Sequence, residues 1–149
     1  MNLFILRHGE AEASAATDAA RRLTPRGEAE VAAVVRKSAK ELQAVRQVYV
    51  SPYVRAQQTA KIALEVLGDR PIETTELITP DGNVDGVIRL LESRDLSNVL
   101  LVSHQPLVGE LVNGFTGQPP GYYSMATAAL ASIDLDPIAM GLGDLNWLR

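Results

Sequence analysis

Three short, uninterrupted apolar runs constrain the fold of this chain more than any other feature. They cover Leu3 to Leu6, Val48 to Val50 and Val99 to Val102, and such a run is typical of a strand covered on both faces. Between the runs, apolar residues recur at helical spacing, so that strands alternate with helices. This order predicts a three-layer α/β/α sandwich with a mainly parallel sheet.

Capping residues and turns set the other expected boundaries. Thr24-Pro25 reads as an N-cap followed by proline in the first turn, and Gly68 is a typical helix stop. The region from Met125 to Leu135 shows β-like alternation, and a last strand is expected around Trp147, so this pair forms an antiparallel edge. We predict helices over 25–44, 54–67, 84–91 and 106–115, and a short strand followed by a turn within 71–83.

Composition bounds the class of protein. The 149 residues are 46% hydrophobic and 21% charged, without repeats or linkers, which predicts a single domain spanning 1–149. The chain has no cysteine, which excludes disulfides and a thiolate nucleophile. No apolar stretch reaches the ~18 residues of a membrane span, and the N-terminal run is too short for a signal peptide. We expect a soluble, cytoplasmic protein that contacts no membrane.

The net charge of the chain is −4 and its pI is near 5.2. A broad nucleic-acid surface would need clustered lysine and arginine, so we expect no nucleic-acid partner. An anion site must therefore be a local concentration of positive charge.

Reactive side chains follow the predicted strands at their carboxyl ends. The first strand ends in Arg7-His8, the second is followed by Arg55, and the third ends in Ser103-His104. Ligands of open parallel sheets bind at this edge. Both histidines of the chain are therefore expected in one site, together with two arginines.

Two imidazoles and two guanidiniums suit phosphoryl transfer. Neutral imidazole is a nucleophile near pH 7, and planar guanidiniums offer paired donors to phosphoryl oxygens. We assign His8 as the nucleophile, Arg7 and Arg55 as the groups that hold the oxygens, and His104 as a further donor. Gly9 is expected to leave room for close approach of the substrate.

Two other interpretations compete with this assignment. Each histidine alone could be structural, although two histidines and two arginines at one edge make that improbable. A zinc site formed by His8, Glu10 and His104 has a suitable donor set, but adjacent arginines would repel the cation. We therefore expect no metal and no cofactor.

These residues resemble the histidine phosphatase superfamily, which includes the cofactor-dependent phosphoglycerate mutases. The resemblance spans about 100 residues in the family's order, and implies a phosphoglycerate mutase-like fold. It also implies that His8 is phosphorylated and that Arg7, Arg55 and His104 form its phosphate pocket. The matching segments are Leu6-Arg7-His8-Gly9-Glu10, Leu23-Thr24-Pro25-Arg26-Gly27, Ser51 to Ala60 and Val102-Ser103-His104.

The segments 103–109 and 76–82, and the short chain, are similar to SixA-type phosphohistidine phosphatases. That similarity implies that the partner is a phosphorylated histidine phosphotransfer domain or another phosphohistidine protein. Many superfamily members protonate the leaving oxygen with an acid at a position where Thr79 or Pro80 stands here. The nearby carboxylates of Glu76, Asp81 and Asp85 are interpreted as solvated.

The missing acid leads to a hypothesis about the substrate. An alkoxide leaving group gains ~10²–10⁴-fold from general acid catalysis, whereas the nitrogen of a phosphorylated imidazole is more readily protonated. We therefore expect good hydrolysis of phosphohistidine and poor hydrolysis of alkyl phosphates.

Two weaker substrate-binding candidates lie beside these motifs. Arg21 stands where related proteins often place a pocket arginine, and the backbone N–H of Gln105 precedes a predicted helix whose N-terminus favours anions. Two alternatives to phosphohistidine hydrolysis remain open. One is a small-molecule phosphomonoesterase, favoured by an enclosed polar pocket rather than an open apolar rim, and the other is a non-catalytic phosphate-binding module.

Overall fold

In the computed structural model, which describes residues 1–94 and 97–149, six strands form one mixed sheet. The strands are β1 (Asn2–Arg7), β2 (Gln47–Val50), β3 (Ile72–Thr74), β4 (Asn98–Ser103), β5 (Leu130–Asp134) and β6 (Asp144–Leu148). Their spatial order is β3-β2-β4-β1-β5-β6. Strands β1 to β4 pair in parallel, whereas β5 pairs antiparallel with both β1 and β6. The predicted parallel sheet with an antiparallel edge is confirmed.

Helices cover both faces of this sheet. On one face Ile5 packs in a core with Leu111, and on the other face Phe4 packs in a core with Val31. Neighbouring side chains of β1 thus enter different cores, which explains why the strand is apolar without interruption. The helices are α1 (Pro25–Lys37), α2 (Ala39–Leu42), α3 (Val54–Leu67), α4 (Val84–Glu92) and α5 (Leu107–Phe115), and two 3₁₀ turns cover Asp18–Ala20 and Glu76–Ile78.

The helix predicted over 25–44 is wrong in its continuity. The structure breaks it at Ser38, where the backbone leaves the helical conformation (ψ 9°). The guanidinium of Arg149 donates to Ser38 Oγ at 3.0 Å and to Glu41 Oε1 at 2.9 Å. Arg149 is therefore hydrogen bonded at the break, and local periodicity in the sequence does not encode this long-range contact.

The β-like alternation between Met125 and Leu135 produces a strand only in its second half. Ala128 has a positive φ of 59°, which interrupts the extended backbone. Strand β5 therefore begins at Leu130, and the residues before it form a loop beside the carboxyl end of β1, where Arg7 N–H donates to Ala129 O.

Across the two ranges that the structure describes, none of the helices has the length and apolar character needed to span a bilayer.

Candidate active site

The register of the parallel strands brings the two histidines to one level of the sheet edge. Arg7 is paired with Ser103 across β1 and β4, so His8 and His104 are the next residues on adjacent strands. The His8 N–H donates to Ser103 O at 3.0 Å, and the two imidazole centroids lie 5.1 Å apart. The structure thus brings together the histidines that the sequence analysis assigned to one site.

The His8 imidazole is held in one tautomer. Its Nδ1 lies 2.7 Å from Gly9 O, so Nδ1 carries the proton and donates to this carbonyl. The Arg55 Nε–H lies 3.3 Å from His8 Nε2, which therefore accepts through its lone pair. Burial, which the Gly9 carbonyl opposes, together with the charges of Arg55 and Arg7 lowers the pKa of His8 to about 4. At neutral pH the ring is neutral, with Nε2 available as a nucleophile.

His104 is buried beside His8 and is bonded on one side only. Its Nε2 lies 2.7 Å from Ser51 Oγ, and the Tyr53 ring packs edge-on at 5.0 Å between centroids. Its Nδ1 is buried without a partner among the described residues. Burial, then the charges of His8 and Arg55, lower the pKa of His104 to about 3, so this ring is also neutral at pH 7.

Arg55 is a buried arginine at the start of α3. Its Nη1 donates to Asp18 O at 2.7 Å, and its Nη2 lies 3.2 Å from Asp18 Oδ2. The guanidinium also packs over the Tyr53 ring, 5.1 Å from its centroid. These contacts fix the plane of the guanidinium beside His8 Nε2.

Arg7 contributes a second guanidinium. Its Nη1 donates to Met125 O at 2.9 Å, while its Nε is buried and, like His104 Nδ1, has no partner in the described part of the chain. Burial, followed by the charge of Arg55, lowers the pKa of Arg7. A buried donor without a partner is costly, and an oxygen of a bound anion would satisfy Arg7 Nε–H.

Gly9 has a different role from the one expected of it. A Cβ at Gly9 would lie 2.6 Å from Gly27 O, and one at Gly27 would overlap the carbonyl oxygen of Glu10. Both glycines therefore permit close packing of the loop after β1 against the first turn of α1, rather than access for a substrate. An isolated bridge between Ala11 and Leu23 closes the base of the following loop.

The two weaker candidates lie at the margin of the pocket. Arg21 Nε donates to Glu12 O, and its Nη1 donates to Asp18 Oδ1 at 2.9 Å, so Arg21 is linked to Arg55 through Asp18. The side chain of Gln105 accepts from Gly109 N–H at 2.9 Å. Helix α5 begins at Leu107, two residues after Gln105. Contact of either residue with phosphate stays a prediction.

Within residues 1–94 and 97–149, no three His, Cys, Asp or Glu side chains cluster in a way that could hold a metal ion. In particular, the Glu10 carboxylate accepts from Thr24 Oγ1 at 3.1 Å and is not grouped with the histidines. Glu76, Asp81 and Asp85 are exposed.

The side chains of Arg7, His8, Arg55 and His104 form a positively charged pocket around a neutral imidazole lone pair. This arrangement fits a tetrahedral oxyanion whose central atom is attacked by His8 Nε2. A family model described as histidine phosphatase superfamily (branch 1) matches residues 3–79, just over half of the chain. The chain belongs to the histidine phosphatase superfamily. Its phosphohistidine phosphatase relatives indicate that it is a hydrolase, as the sequence predicted.

Two relatives indicate which group of the histidine phosphatase superfamily this chain resembles. Phosphohistidine phosphatase SixA of Escherichia coli K12 is 36% identical over 156 aligned positions, which cover 99% of this chain and 92% of that protein. A SixA homolog of Haemophilus influenzae is 38% identical, with 87% of each chain covered. The resemblance to SixA-type proteins is confirmed.

Solved structures agree on the fold. The structure of the protein histidine phosphatase SixA complexed with tungstate matches with a TM-score of 0.88 and 35% identity, covering 99% of this chain and 96% of that one. The alpha-ribazole phosphatase of Shigella flexneri, at 20% identity and a TM-score of 0.75, covers 99% of this chain and 96% of its own and shares the superfamily fold.

Two features of the pocket were absent from the sequence analysis. Asp18, which holds Arg55, lies in an alanine-rich loop without periodicity, so no local signal marked it. Tyr53, which touches both Arg55 and His104, stood inside the recognised segment Ser51 to Ala60, and its position two residues before Arg55 was the available signal.

Proposed function

We propose that this protein hydrolyses phosphohistidine on a protein through a covalent intermediate on His8. The observation that carries the proposal is the tautomer of His8, whose Nδ1–H is engaged by Gly9 O while Nε2 lies beside Arg55. A ring held in this way presents a lone pair to an anion bound by the surrounding donors. The names of the SixA relatives support the choice of phosphohistidine.

In the first step, His8 Nε2 attacks phosphorus in line. A P–N bond forms to His8, and the P–N bond to the substrate imidazole breaks. The leaving nitrogen keeps the bonding electron pair and takes up a proton, which returns the substrate histidine to its neutral form. Arg7, Arg55 and His104 stabilise the charge on the equatorial oxygens during the transfer.

In the second step, water attacks the phosphorus of phosphorylated His8. The new P–O bond replaces the P–Nε2 bond, the proton of the water is released, and inorganic phosphate leaves. The Gly9 carbonyl continues to accept from Nδ1–H, so His8 returns to the tautomer in which it began. Arg21 and the backbone N–H of Gln105 are proposed to contact the substrate at the edge of this pocket.

The carboxylates near the site support a substrate with a nitrogen leaving group. Asp18 is the carboxylate bonded to a pocket arginine, and hydrogen bonds from Arg21 and Arg55 lower its pKa. It is therefore ionised at neutral pH and poorly suited to donate a proton. Phosphohistidine depends less on such a donor than an alkyl phosphate does.

An open apolar groove beside the pocket supports a protein as the carrier of the phosphohistidine. The groove has a volume of about 760 Å³, begins at Gln105, next to His104, and runs along α5 past Met140. Its lining is mostly apolar, and the side chain of Met140 is 48% exposed. An open apolar rim of this kind favours a protein as the phosphohistidine carrier over a small phosphorylated metabolite. We propose a histidine phosphotransfer domain as that substrate.

Residues 1–149 are proposed to act as one histidine phosphatase domain, since the sheet draws strands from both ends of the chain. A cytoplasmic location stays a prediction that rests on composition.

The test compares four substrates under the same conditions: a phosphorylated histidine phosphotransfer domain, free phosphohistidine, an aryl phosphate and an alkyl phosphate. We expect kcat/KM to be highest for the phosphorylated domain and lowest for the alkyl phosphate. Rapid quenching should trap acid-labile, base-stable phosphate on the wild-type chain. The His8→Ala variant should trap none and lose turnover.

Arg26→Ala is a matched control, because Arg26 is highly exposed on α1 and pairs with Glu30 at 2.9 Å. It should behave like the wild type. Equal turnover of phosphohistidine and alkyl phosphate would contradict the substrate assignment. Turnover by His8→Ala at the wild-type rate would contradict the mechanism.

A further inference from the structure

Ser51 is a buried serine at the end of β2, and every polar group it carries is hydrogen bonded. Its N–H donates to Val102 O at 3.1 Å, and its carbonyl accepts from Gln57 Nε2 at 2.9 Å. Its Oγ accepts from Tyr53 N–H at 3.2 Å and lies 2.7 Å from His104 Nε2. The serine is thus immobilised on the strand and directed at the imidazole.

The donors and acceptors around Ser51 Oγ determine which group donates in its hydrogen bond with His104 Nε2. A hydroxyl has one donor and two acceptor positions. Tyr53 N–H occupies one acceptor position of Ser51 Oγ, and His104 Nε2 is the acceptor within reach of its proton among the described residues. If the hydroxyl donates to Nε2, the ring proton of neutral His104 must sit on Nδ1.

The opposite tautomer leaves more groups without partners. With the proton on Nε2, the Ser51 hydroxyl proton would have no acceptor in the described part of the chain. The Nδ1 lone pair of His104, which is buried there without a partner, would also face no donor. With the proton on Nδ1, a single buried N–H remains, and a phosphoryl oxygen satisfies it. Buried polar groups are rarely left unpaired.

We propose that Ser51 is a positioning residue that holds His104 in the Nδ1–H tautomer, so that a neutral imidazole donates to the phosphoryl group. This inference rests on the proposed function for its meaning in catalysis, but its structural content does not depend on turnover. Ser51 acts through His104 and does not itself touch the phosphoryl group.

The tautomer of His104 can be observed by NMR, and the spectrum is simple because the chain contains two histidines. Long-range ¹H–¹⁵N correlation spectra near pH 7 distinguish a protonated ring nitrogen from a bare one, and the His8→Ala variant assigns the signals by subtraction. We expect both wild-type rings to be protonated on Nδ1. A His104 ring protonated mainly on Nε2 in the wild type would overturn the proposal, with no need for a variant of Ser51.

Substitutions then test the consequence for anion binding. Ser51→Ala should shift His104 towards the Nε2–H form and raise the Kd of inorganic phosphate about 10-fold, with a kcat/KM loss of about 10- to 100-fold. That is smaller than the ~10²–10³-fold effect of deleting an oxyanion donor outright, since the imidazole is still present. Ser51→Thr keeps the hydroxyl and should restore both the tautomer and phosphate binding.

Ser132→Ala is the matched control, since Ser132 is also a buried serine on a strand, bonded to Asn2 Oδ1 at 3.0 Å, away from the pocket. It should leave the His104 spectrum and the phosphate Kd unchanged. A folded Ser51→Ala variant with wild-type tautomer and wild-type phosphate Kd would overturn the proposal. Absence of phosphohistidine turnover in the wild type, with the expected tautomer and phosphate binding, would instead refute the proposed function alone.

Discussion

The carboxylate of Asp18 binds one edge of the Arg55 guanidinium, with Oδ2 3.2 Å from Nη2. The backbone carbonyl of Asp18 binds the same guanidinium at 2.7 Å. A phosphoryl dianion that approaches Arg55 therefore meets a negative charge already paired with it. Asp18 thus holds the guanidinium in place, and its carboxylate also competes electrostatically with the substrate.

Asp18→Asn separates these two effects, because it removes the charge and keeps the backbone contact. We expect the inhibition constant of inorganic phosphate to fall about 2- to 5-fold, a modest gain because the Asp18 side chain is more than half exposed. Inhibition measured at two ionic strengths checks this. Glu30→Gln, which breaks an ion pair with Arg26 on the α1 surface, should have no effect. Weaker phosphate binding in Asp18→Asn would show that the carboxylate orients Arg55 rather than competing with the substrate.

The two histidines should titrate far below the usual range. Burial and the neighbouring cations lower the pKa of His8 to about 4 and that of His104 to about 3. An NMR titration in phosphate-free buffer should therefore show both rings neutral from pH 8 down to about pH 5. Midpoints near 6.5 for either ring would contradict the burial of the two rings beside Arg55 and Arg7.

The same shifts make the free energy of unfolding depend on pH. The unfolded chain protonates His8 near 6.5, whereas the folded chain does so only near 4. Stability is therefore full above 6.5 and falls as the pH is lowered towards 4, by on the order of 3 kcal/mol for this residue. Urea unfolding at half-unit pH steps measures the slope. The His8→Asn variant should show a shallower slope between pH 6 and 4.5, and equal slopes would refute the assignment to His8.

Two glycines in matched helical positions should respond differently to alanine. Gly27 N–H is capped by Thr24 Oγ1 in α1, and Gly86 N–H is capped by Asn83 Oδ1 in α4. A Cβ at Gly27 overlaps backbone, whereas the nearest atom to one at Gly86 is 3.4 Å away. We expect Gly27→Ala to lower the free energy of unfolding by about 2–4 kcal/mol. Gly86→Ala should change it by less than about 1 kcal/mol. Thermal or urea unfolding measures the two free energies. Similar losses in Gly27→Ala and Gly86→Ala would contradict the packing argument.

The groove along α5 should matter for a protein substrate only. Met140→Glu places a charge in the groove, and we expect kcat/KM for a phosphorylated phosphotransfer domain to fall about 10-fold. Turnover of free phosphohistidine should change less than 2-fold by our estimate, since the catalytic pocket is untouched. Leu142→Glu is the control, because Leu142 is also exposed but does not line the groove. Equal losses on both substrates would mean that the substitution disturbs the pocket itself.

The residues at the carboxyl ends of the strands were predictable because adjacent positions of the sequence encode both the strand and the residues that follow it. An uninterrupted apolar run followed directly by Arg7-His8 or by His104 identifies both a strand and what stands at its carboxyl end. Parallel pairing then places those ends together, as the Arg7–Ser103 register demonstrates. The carboxyl end of α3 was predictable for the same reason, since Gly68 directly follows its last residue.

Features that depend on distant contacts were not predictable. Asp18 reaches Arg55 across 37 positions of sequence, from a loop with no apolar period. Arg149 contacts the break at Ser38 from 111 positions away along the chain. No local pattern indicates a role for Ser51, because its hydroxyl meets His104 only when β4 is placed beside β2.

The close packing of Gly9 on Gly27 separates the backbone that carries His8 from the loop that carries Asp18. The loop that follows His8 packs by main chain on a helix that supplies no side chain to the pocket, and the Ala11–Leu23 bridge closes the base of the intervening loop. Substitutions within residues 12–22 can thus reach the ring of His8 through Asp18 and Arg55, while the backbone that carries His8 stays packed on α1.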